Sequence, residues 1–280
     1  MQKLYSGQTA AFLTQHGKES LVAPILEPFL GCKISQIEGY DTDQLGTFSG
    51  EVKRLENQIE TARKKAHIGL ELSGLSIGLA SEGAFISDPF SGLIPWNVEV
   101  ILWLDTKSQF EVIGIAQGPT LSLQQAIHTF SELEIFAKNA EFPSHHLILR
   151  PESDSDRRIY KGISNWAQLK QAFIDCQKQS THGCVHVEHD HRSYCHPTRQ
   201  AMIKNAAEDL AKKLQSLCPR CETPGFALTS HRSGLPCISC GSKTSSPISY
   251  ILSCSACNFS EEKTSHDKFS DPSRCDVCNP

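Results

Sequence analysis

The N-terminal three quarters of the chain alternates short apolar runs with amphipathic stretches. Residues 9–14 (Thr-Ala-Ala-Phe-Leu-Thr) have the length and content of a buried strand, and residues 19–30 those of a helix halted by Gly31. Residues 33–37 predict another short strand. Val52, Leu55, Ile59, Ala62 and Ala66 then recur at alternating steps of three and four with charges between them, the mark of an amphipathic helix, which Gly69 or Gly74 would close. Residues 77–80 predict a short apolar strand, and residues 98–104 with 111–116 predict a hairpin around 105–108. A helix near 123–139, a strand at 146–150 and a helix near 166–177 follow. The last helix of this region starts at Pro197 and runs to Leu214, with Ile203, Ala206, Leu210 and Leu214 on one face. The polar run 153–158 is expected as a surface loop, Cys32 and Cys176 as buried thiols, and Trp96 in the core. Strands alternating with helices, with one hairpin among them, place residues 1–213 in the α/β class as an α/β sandwich built on a mixed sheet.

From residue 214 onward the pattern changes. Eight of the twelve cysteines form four Cys-x-x-Cys pairs, Cys218/Cys221, Cys237/Cys240, Cys254/Cys257 and Cys275/Cys278, separated by 15, 13 and 17 residues. Eight thiolates close two tetrahedral four-cysteine zinc sites, and the intervals leave room for short hairpins, one carried by a strand at 248–252. So few large aliphatics stand here that metal, worth about 10 to 16 kcal/mol per structural site, must supply the folding energy. A disulfide framework needs an oxidising compartment, and the N-terminus carries no apolar run that could act as a signal peptide. The expected organisation is an α/β domain over 1–213 and a small zinc-ribbon-like domain over 214–280. Sequential pairing of the knuckles needs the shortest loop closures; nested and cross-braced pairings are equally compatible with the spacing.

Charge narrows the possible partners. The formal net charge is -4 and the pI about 6.3. Between Leu214 and Pro280, six Lys/Arg meet six Asp/Glu, so eight thiolates on two Zn2+ leave the tail net negative, a poor surface for phosphate backbones. Non-specific nucleic-acid binding is disfavoured, although base stacking on the knuckles needs no large basic patch. No run approaches the 18 apolar residues of a membrane span, so a cytoplasmic protein without membrane contact is expected.

Four groups in the large domain carry possible chemistry. Thr14-Gln15-His16-Gly17-Lys18-Glu19 joins a strand to a helix, where backbone N–H groups and a lysine suit phosphate. Asp41, Asp43 and Glu51 form an acidic group before the amphipathic helix. Glu82 follows a buried strand, the place where open sheets bind ligands, and is a natural ligand for a hard cation such as Mg2+. In the segment 184–199, His186, Glu188 and Asp190 would share one face of an extended strand and could hold a further metal.

The chain resembles an uncharacterised bacterial family over essentially its whole length. The motifs that carry this are Thr-x-His-Gly-Lys-Glu (14–19), Asp-Thr-Asp-x-Leu-Gly-Thr-Phe-x-Gly-Glu (41–51), Ala-Ser-Glu-Gly (80–83), Ile-Pro-Trp-Asn (94–97) and a final Cys-Asn-Pro. More remotely, the order of pieces is similar to that of the inosine triphosphate pyrophosphatase-like enzymes, which cleave non-canonical nucleoside triphosphates with Mg2+. That resemblance sets Gln15 and Lys18, Thr47-Phe48 with Glu51, Ser81-Glu82 and Arg199 at the positions of those enzymes' site residues. Gln15 stands for their Asn, Glu51 is displaced by one residue, and Glu82 is a single carboxylate where they carry two. It implies that Glu51 and Glu82, with Asp41 or Asp43, hold Mg2+, that Lys18 beside Gln15 and His16 neutralises phosphate, and that Arg199 meets the base or phosphate. Under it, the protein releases pyrophosphate from a nucleotide. The rival reading is a non-catalytic adaptor that binds a nucleotide or other phosphate-bearing small molecule in the α/β domain and docks a protein or RNA through its zinc tail.

Overall fold

The computed structural model describes residues 4–15, 17–46, 52 and 56–280. The expected site residues His16 and Glu51, and the Thr47-Phe48 pair, lie outside them. Strand β1 (Thr9–Leu13) leads into helix α1 (Glu19–Leu30), which ends where Gly31 turns left-handed at φ 75°. Strand β2 (Lys33–Ile37) returns parallel to β1, in register from Thr9↔Lys33 to Leu13↔Ile37.

Helix α2 (Gln58–Ser73) starts six residues after Val52, where the apolar spacing began, because Asn57 caps it by accepting from the Glu60 amide at 2.9 Å. Its small residues Ala62 and Ala66 pack on Ala80 and Leu102. Strand β3 (Ile77–Ser87) runs seven residues beyond the expected apolar core, through Ser81, Glu82 and Gly83, which are all buried. It pairs parallel with β1 and antiparallel with β4 (Pro95–Asp105), the latter over eleven registered positions from Ile77↔Asp105 to Ser87↔Pro95. Strand β5 (Phe110–Pro119) completes a mixed sheet of order β2-β1-β3-β4-β5. Trp103 is fully buried in it and donates to the Tyr5 hydroxyl at 3.2 Å. Trp96, expected in the core, is half-buried instead, with its ring edge against the exposed Phe90 at 6.2 Å.

The single helix expected near 123–139 divides in two. Residues of β6 (Gln124–Ile127) pair antiparallel with β9, and helix α3 (Phe130–Asn139) begins only after Thr129, which forms a reciprocal capping box with Glu132. After α3 come β7 (Leu147–Pro151), β8 (Tyr160–Ile163), helix α4 (Trp166–Gln179) and β9 (Val185–His189). They make an antiparallel sheet of order β6-β9-β7-β8. Ile127, Leu133, Phe136, Leu147, Leu149, Leu169, Phe173 and Val187 form its core, with Cys176 buried among them. Burying each such side chain contributes roughly 1.5 to 3 kcal/mol. Strand β8 escaped the sequence pattern because it is four residues long and half-polar, and the run 153–158 before it is a loop.

Helix α5 (Pro197–Gln215) follows a short turn at Ser193–Cys195. Ile203, Ala206, Leu210 and Leu214 are all fully buried, as the spacing predicts. The chain divides into two compact units, residues 1–107 with 113–211 and residues 108–112 with 212–280. The second contains an antiparallel sheet of β10 (Ala227–Ser233), β11 (Pro247–Ser253) and β12 (Ser260–Thr264), in that order. No described helix is long and apolar enough to cross a membrane.

Candidate functional site

Segments far apart in sequence line one cavity in the α/β region, Lys65 and Lys161 among their residues. Thr14, Gln15 and Lys18 reach it from the end of β1 and the start of α1, Thr42 and Asp43 from a short helical turn, and Ser81 and Glu82 from the middle of β3. Glu188, His189, Asp190, His191 and Arg192 reach it from β9 and the loop beyond, and Arg199 from the first turn of α5. The enclosed space at its heart is about 60 Å3, enough for a few waters.

Gln15 holds the acidic turn in place. It donates to Asp41 Oδ1 at 3.4 Å and accepts from the Thr42 hydroxyl at 2.9 Å, while Asp41 caps the turn by accepting from the Asp43 amide at 3.1 Å. Asp43 therefore lines the cavity, whereas Asp41 supports it from behind.

Lys18 is 8 % exposed and, among the described residues, donates to Ser81, to its carbonyl at 3.3 Å and its hydroxyl at 3.4 Å. Burial, with the Arg199 guanidinium nearby, pulls its ammonium down to about 7. Glu82, 4 % exposed, is paired with Lys65 of α2. Arg199, 1 % exposed, donates from Nε to Glu99 Oε1 at 2.7 Å and from Nη1 to the His191 carbonyl at 2.5 Å. This pair crosses directly over Gly83, where any Cβ would collide with both the guanidinium and the carboxylate. The glycine of Ser-Glu-Gly is thus a packing requirement of the arginine.

The row His186, Glu188, Asp190 does not converge on a metal. Glu188 accepts from Arg150 Nε at 3.3 Å, and Asp190 accepts from Arg192 Nε at 2.9 Å and from the Gly162 amide at 2.9 Å. Burial pushes the Glu188 carboxyl up, against the opposing pull of the Arg150 guanidinium. Nearby, His189 and His196 are fixed as neutral rings, each accepting at Nδ1 from an amide (Leu123, Arg199) and donating from Nε2 to a carbonyl (Ala140, Leu121). Lys65, Lys161 and Arg192 were missed from the sequence. Lys65 sits among the charges of an amphipathic helix, which as a pattern resemble a solvated face.

The eight knuckle cysteines form two groups, Cys218/Cys221 with Cys254/Cys257 and Cys237/Cys240 with Cys275/Cys278. The pairing is first with third and second with fourth, the interleaved one of the possibilities that the spacing leaves open. Each knuckle is the same turn: the amides of Glu222, Gly241, Asn258 and Asn279 donate to the carbonyl of the first cysteine of their own pair at 2.8 to 3.0 Å. The sulfurs approach at 3.6 to 3.8 Å across the groups. Four sulfurs about 2.3 Å from a central Zn2+ stand about 3.8 Å apart, so both groups fit a tetrahedral zinc ion. The amides of Arg220 and Ser239 donate to Cys218 Sγ and Cys237 Sγ at 3.4 Å, as suits a metal-bound thiolate. Among the described residues, no third set of histidine, cysteine or acidic groups is gathered closely enough to hold a metal.

A family described as a domain of unknown function (DUF6671) matches residues 65–280, more than three quarters of the chain. The chain belongs to this family. The DUF6671 match takes in Lys65, Glu82, Glu188, Arg199 and all eight knuckle cysteines, while Gln15, Lys18 and Asp43 precede it. No curated protein matches the chain.

Proposed function

We propose that the cavity binds the phosphate chain of a nucleoside triphosphate with Mg2+ and releases pyrophosphate. One observation carries this reading: Gln15 and Lys18, Asp43, Glu82 and Arg199, singled out from four separate stretches of sequence, border one cavity that is lined by Lys18, Lys65, Lys161, Arg192 and Arg199. Three of these cations are held by carboxylates, Lys65 by Glu82, Arg192 by Asp190 and Arg199 by Glu99, so their positions are set before a ligand arrives. Guanidinium groups fixed in this way match phosphate oxygens in pairs.

Glu82 and Asp43 are the carboxylates that would hold Mg2+. The ammonium of Lys65 against Glu82 already marks that carboxylate as a cation site, and Mg2+ needs only one or two carboxylates when phosphate supplies the rest. When bound, the ion would neutralise charge building on the phosphate oxygens. Lys18 and Arg199 add to that neutralisation from the other side. Glu188, raised by burial, can pass a proton to the departing oxygen or to solvent.

The test is release of pyrophosphate or phosphate from a panel of canonical and deaminated nucleoside triphosphates, with Mg2+ and zinc-loaded protein. Release lost in Glu82→Gln would support the hydrolase. Binding without turnover would favour the adaptor, a reading that the Glu82–Lys65 pair also suits, because a carboxylate neutralised by lysine can serve as an anchor without chemistry. No metal-dependent binding at all would remove both.

A further inference from the structure

Between β3 and β4 the chain turns through Asp88-Pro-Phe-Ser-Gly-Leu-Ile, and the turn is built around one carboxylate. Asp88 accepts from the amides of Phe90 at 3.0 Å, Ser91 at 2.7 Å, Leu93 at 2.9 Å and Ile94 at 2.9 Å, and from the Ser91 hydroxyl at 2.8 Å. Its own amide donates to the Ile94 carbonyl at 2.8 Å. These bonds fix the path of the loop. What the fixed loop holds outward is apolar: Phe90 is 87 % exposed and Leu93 85 %, with Ile86 and Ile94 at 50 % beside them. Trp96 backs Phe90 edge-on, and its indole N–H donates to Gln117 Oε1 at 3.4 Å. A loop that only reverses the chain takes polar residues at such places. Large apolar side chains on a loop already fixed lose little freedom on docking, as suits the anchors of an interface.

Charge decides what docks there. Residues 84–98 contain one charged side chain, Asp88, and both of its oxygens are engaged within the turn. Residues 113–127, which join the hairpin where the Thr120 amide donates to the Pro95 carbonyl at 3.0 Å, contain none, although 21 % of the chain's residues are charged. A partner with charges on its facing surface would have them dehydrated against a face that offers no counter-charge. A phospholipid surface is served no better: stable attachment takes cations beside the apolar anchor, and neither stretch has a lysine or arginine. The complement of this face is another neutral, apolar one, and a second copy of the chain brings it.

We propose that the β3–β4 hairpin is a self-association surface, on which two copies of the chain meet through the same residues about a two-fold axis. Phe90 and Leu93 are the anchors. The exposed Ile115, Gln117 and Pro119 of β5 extend the neutral face beyond the hairpin. With two anchors from each side, the association belongs to the weak, reversible class. It goes beyond the phosphate reading and does not depend on it, since no residue of either stretch lines the cavity.

The experiment is sedimentation equilibrium of the full zinc-loaded chain under reductant, from about 1 μM to about 1 mM, at low salt and at about 0.5 M. The mass is expected to climb from 30.9 kDa at the dilute end towards twice that, alike at both salt concentrations because no ion pair is screened. The double variant Phe90→Asp with Leu93→Asp should stay at 30.9 kDa throughout and keep the circular dichroism of the wild type, because both side chains already stand in water. Ile135→Asp, at an exposed apolar position of α3, should associate as the wild type does. A wild type monomeric at about 1 mM would overturn the proposal. So would association that persists in the double variant, that Ile135→Asp also abolishes, that salt dissolves, or that runs on past a dimer. A monomeric wild type that floats with phospholipid vesicles, neutral or anionic, while the double variant does not, would overturn it in favour of a lipid surface.

Discussion

The α/β region and the cysteine-rich tail are held together by different means. In the former, Trp103, Phe12, Leu13, Leu26, Leu30, Ile77, Leu79 and Ile101 are all buried to within 2 % of their surface, and two sheets are covered by helices. In the tail, four of the seven buried apolar residues between Lys212 and Pro280 are the cysteines Cys218, Cys237, Cys254 and Cys275. One region is stabilised by many contacts that each weigh little; the other gathers eight thiols into two groups that could each hold a metal ion.

Chelation gives the largest expected contrast. All three tryptophans, Trp96, Trp103 and Trp166, lie outside the tail, so their fluorescence reports on the α/β region alone. Stripping metal should remove about 10 to 16 kcal/mol per site and unfold the tail, seen as lost amide dispersion in NMR, while tryptophan emission holds. Simultaneous collapse of both signals would show that the α/β region cannot stand without metal.

Acid comes next and acts on the α/β region by another route. Burial holds His191 and His196 down at about 3, below the 6.5 of an unfolded chain. A base depressed in the folded state stabilises it fully above about pH 6.5, and that contribution drains away as pH falls from 6.5 towards 3, because the unfolded chain takes up protons that the folded one refuses. Urea titrations followed by tryptophan emission should therefore show a midpoint that falls steadily across this window. A flat midpoint would mean that the histidines are not buried as described.

Gly83→Ala tests a single contact on a smaller scale. The new methyl group has to displace Arg199 or Glu99, for about 1 to 3 kcal/mol, and should weaken ligand binding more than it lowers the melting temperature. Unchanged binding would remove Arg199 from the site. Smallest of all is Arg232→Ala, which deletes an exposed pair with Glu262 and should shift stability by no more than about 0.5 kcal/mol, within the error of a melting curve.

Much of this was legible in the sequence where a local signal dominated. Glu19–Leu30 emerged with the bounds that the pattern gave, because Gly31 is a strong stop. The Leu123–Asn139 region misled because Leu123, Ile127 and Phe130 fit a helical face, although Thr129-x-x-Glu132 was a capping box that marked the true start. Strand β3 was underestimated because polar Ser81 and Glu82 do not resemble a buried strand, yet they are buried to serve the cavity. Gln15, Lys18, Asp43, Glu82 and Arg199 were identified as separate clues, and only folding brings them together. Lys65 had no such clue. Spacing supplied the eight thiolates and their count but not their partners, since turn geometry alone leaves every pairing open.

That pairing sets an order of events as the chain leaves the ribosome. Cys218 finds its partner Cys257 only 39 residues later, by which time Cys237 and Cys240 have already emerged, and these wait in turn for Cys275 and for Cys278, the latter 41 residues after Cys237. No first half can close around its own metal and leave the rest to follow. For an interval of synthesis four thiols stand bare, and a nascent chain stalled after Cys257 and before Cys275 carries one complete four-cysteine group and one pair of cysteines open to any passing metal or oxidant.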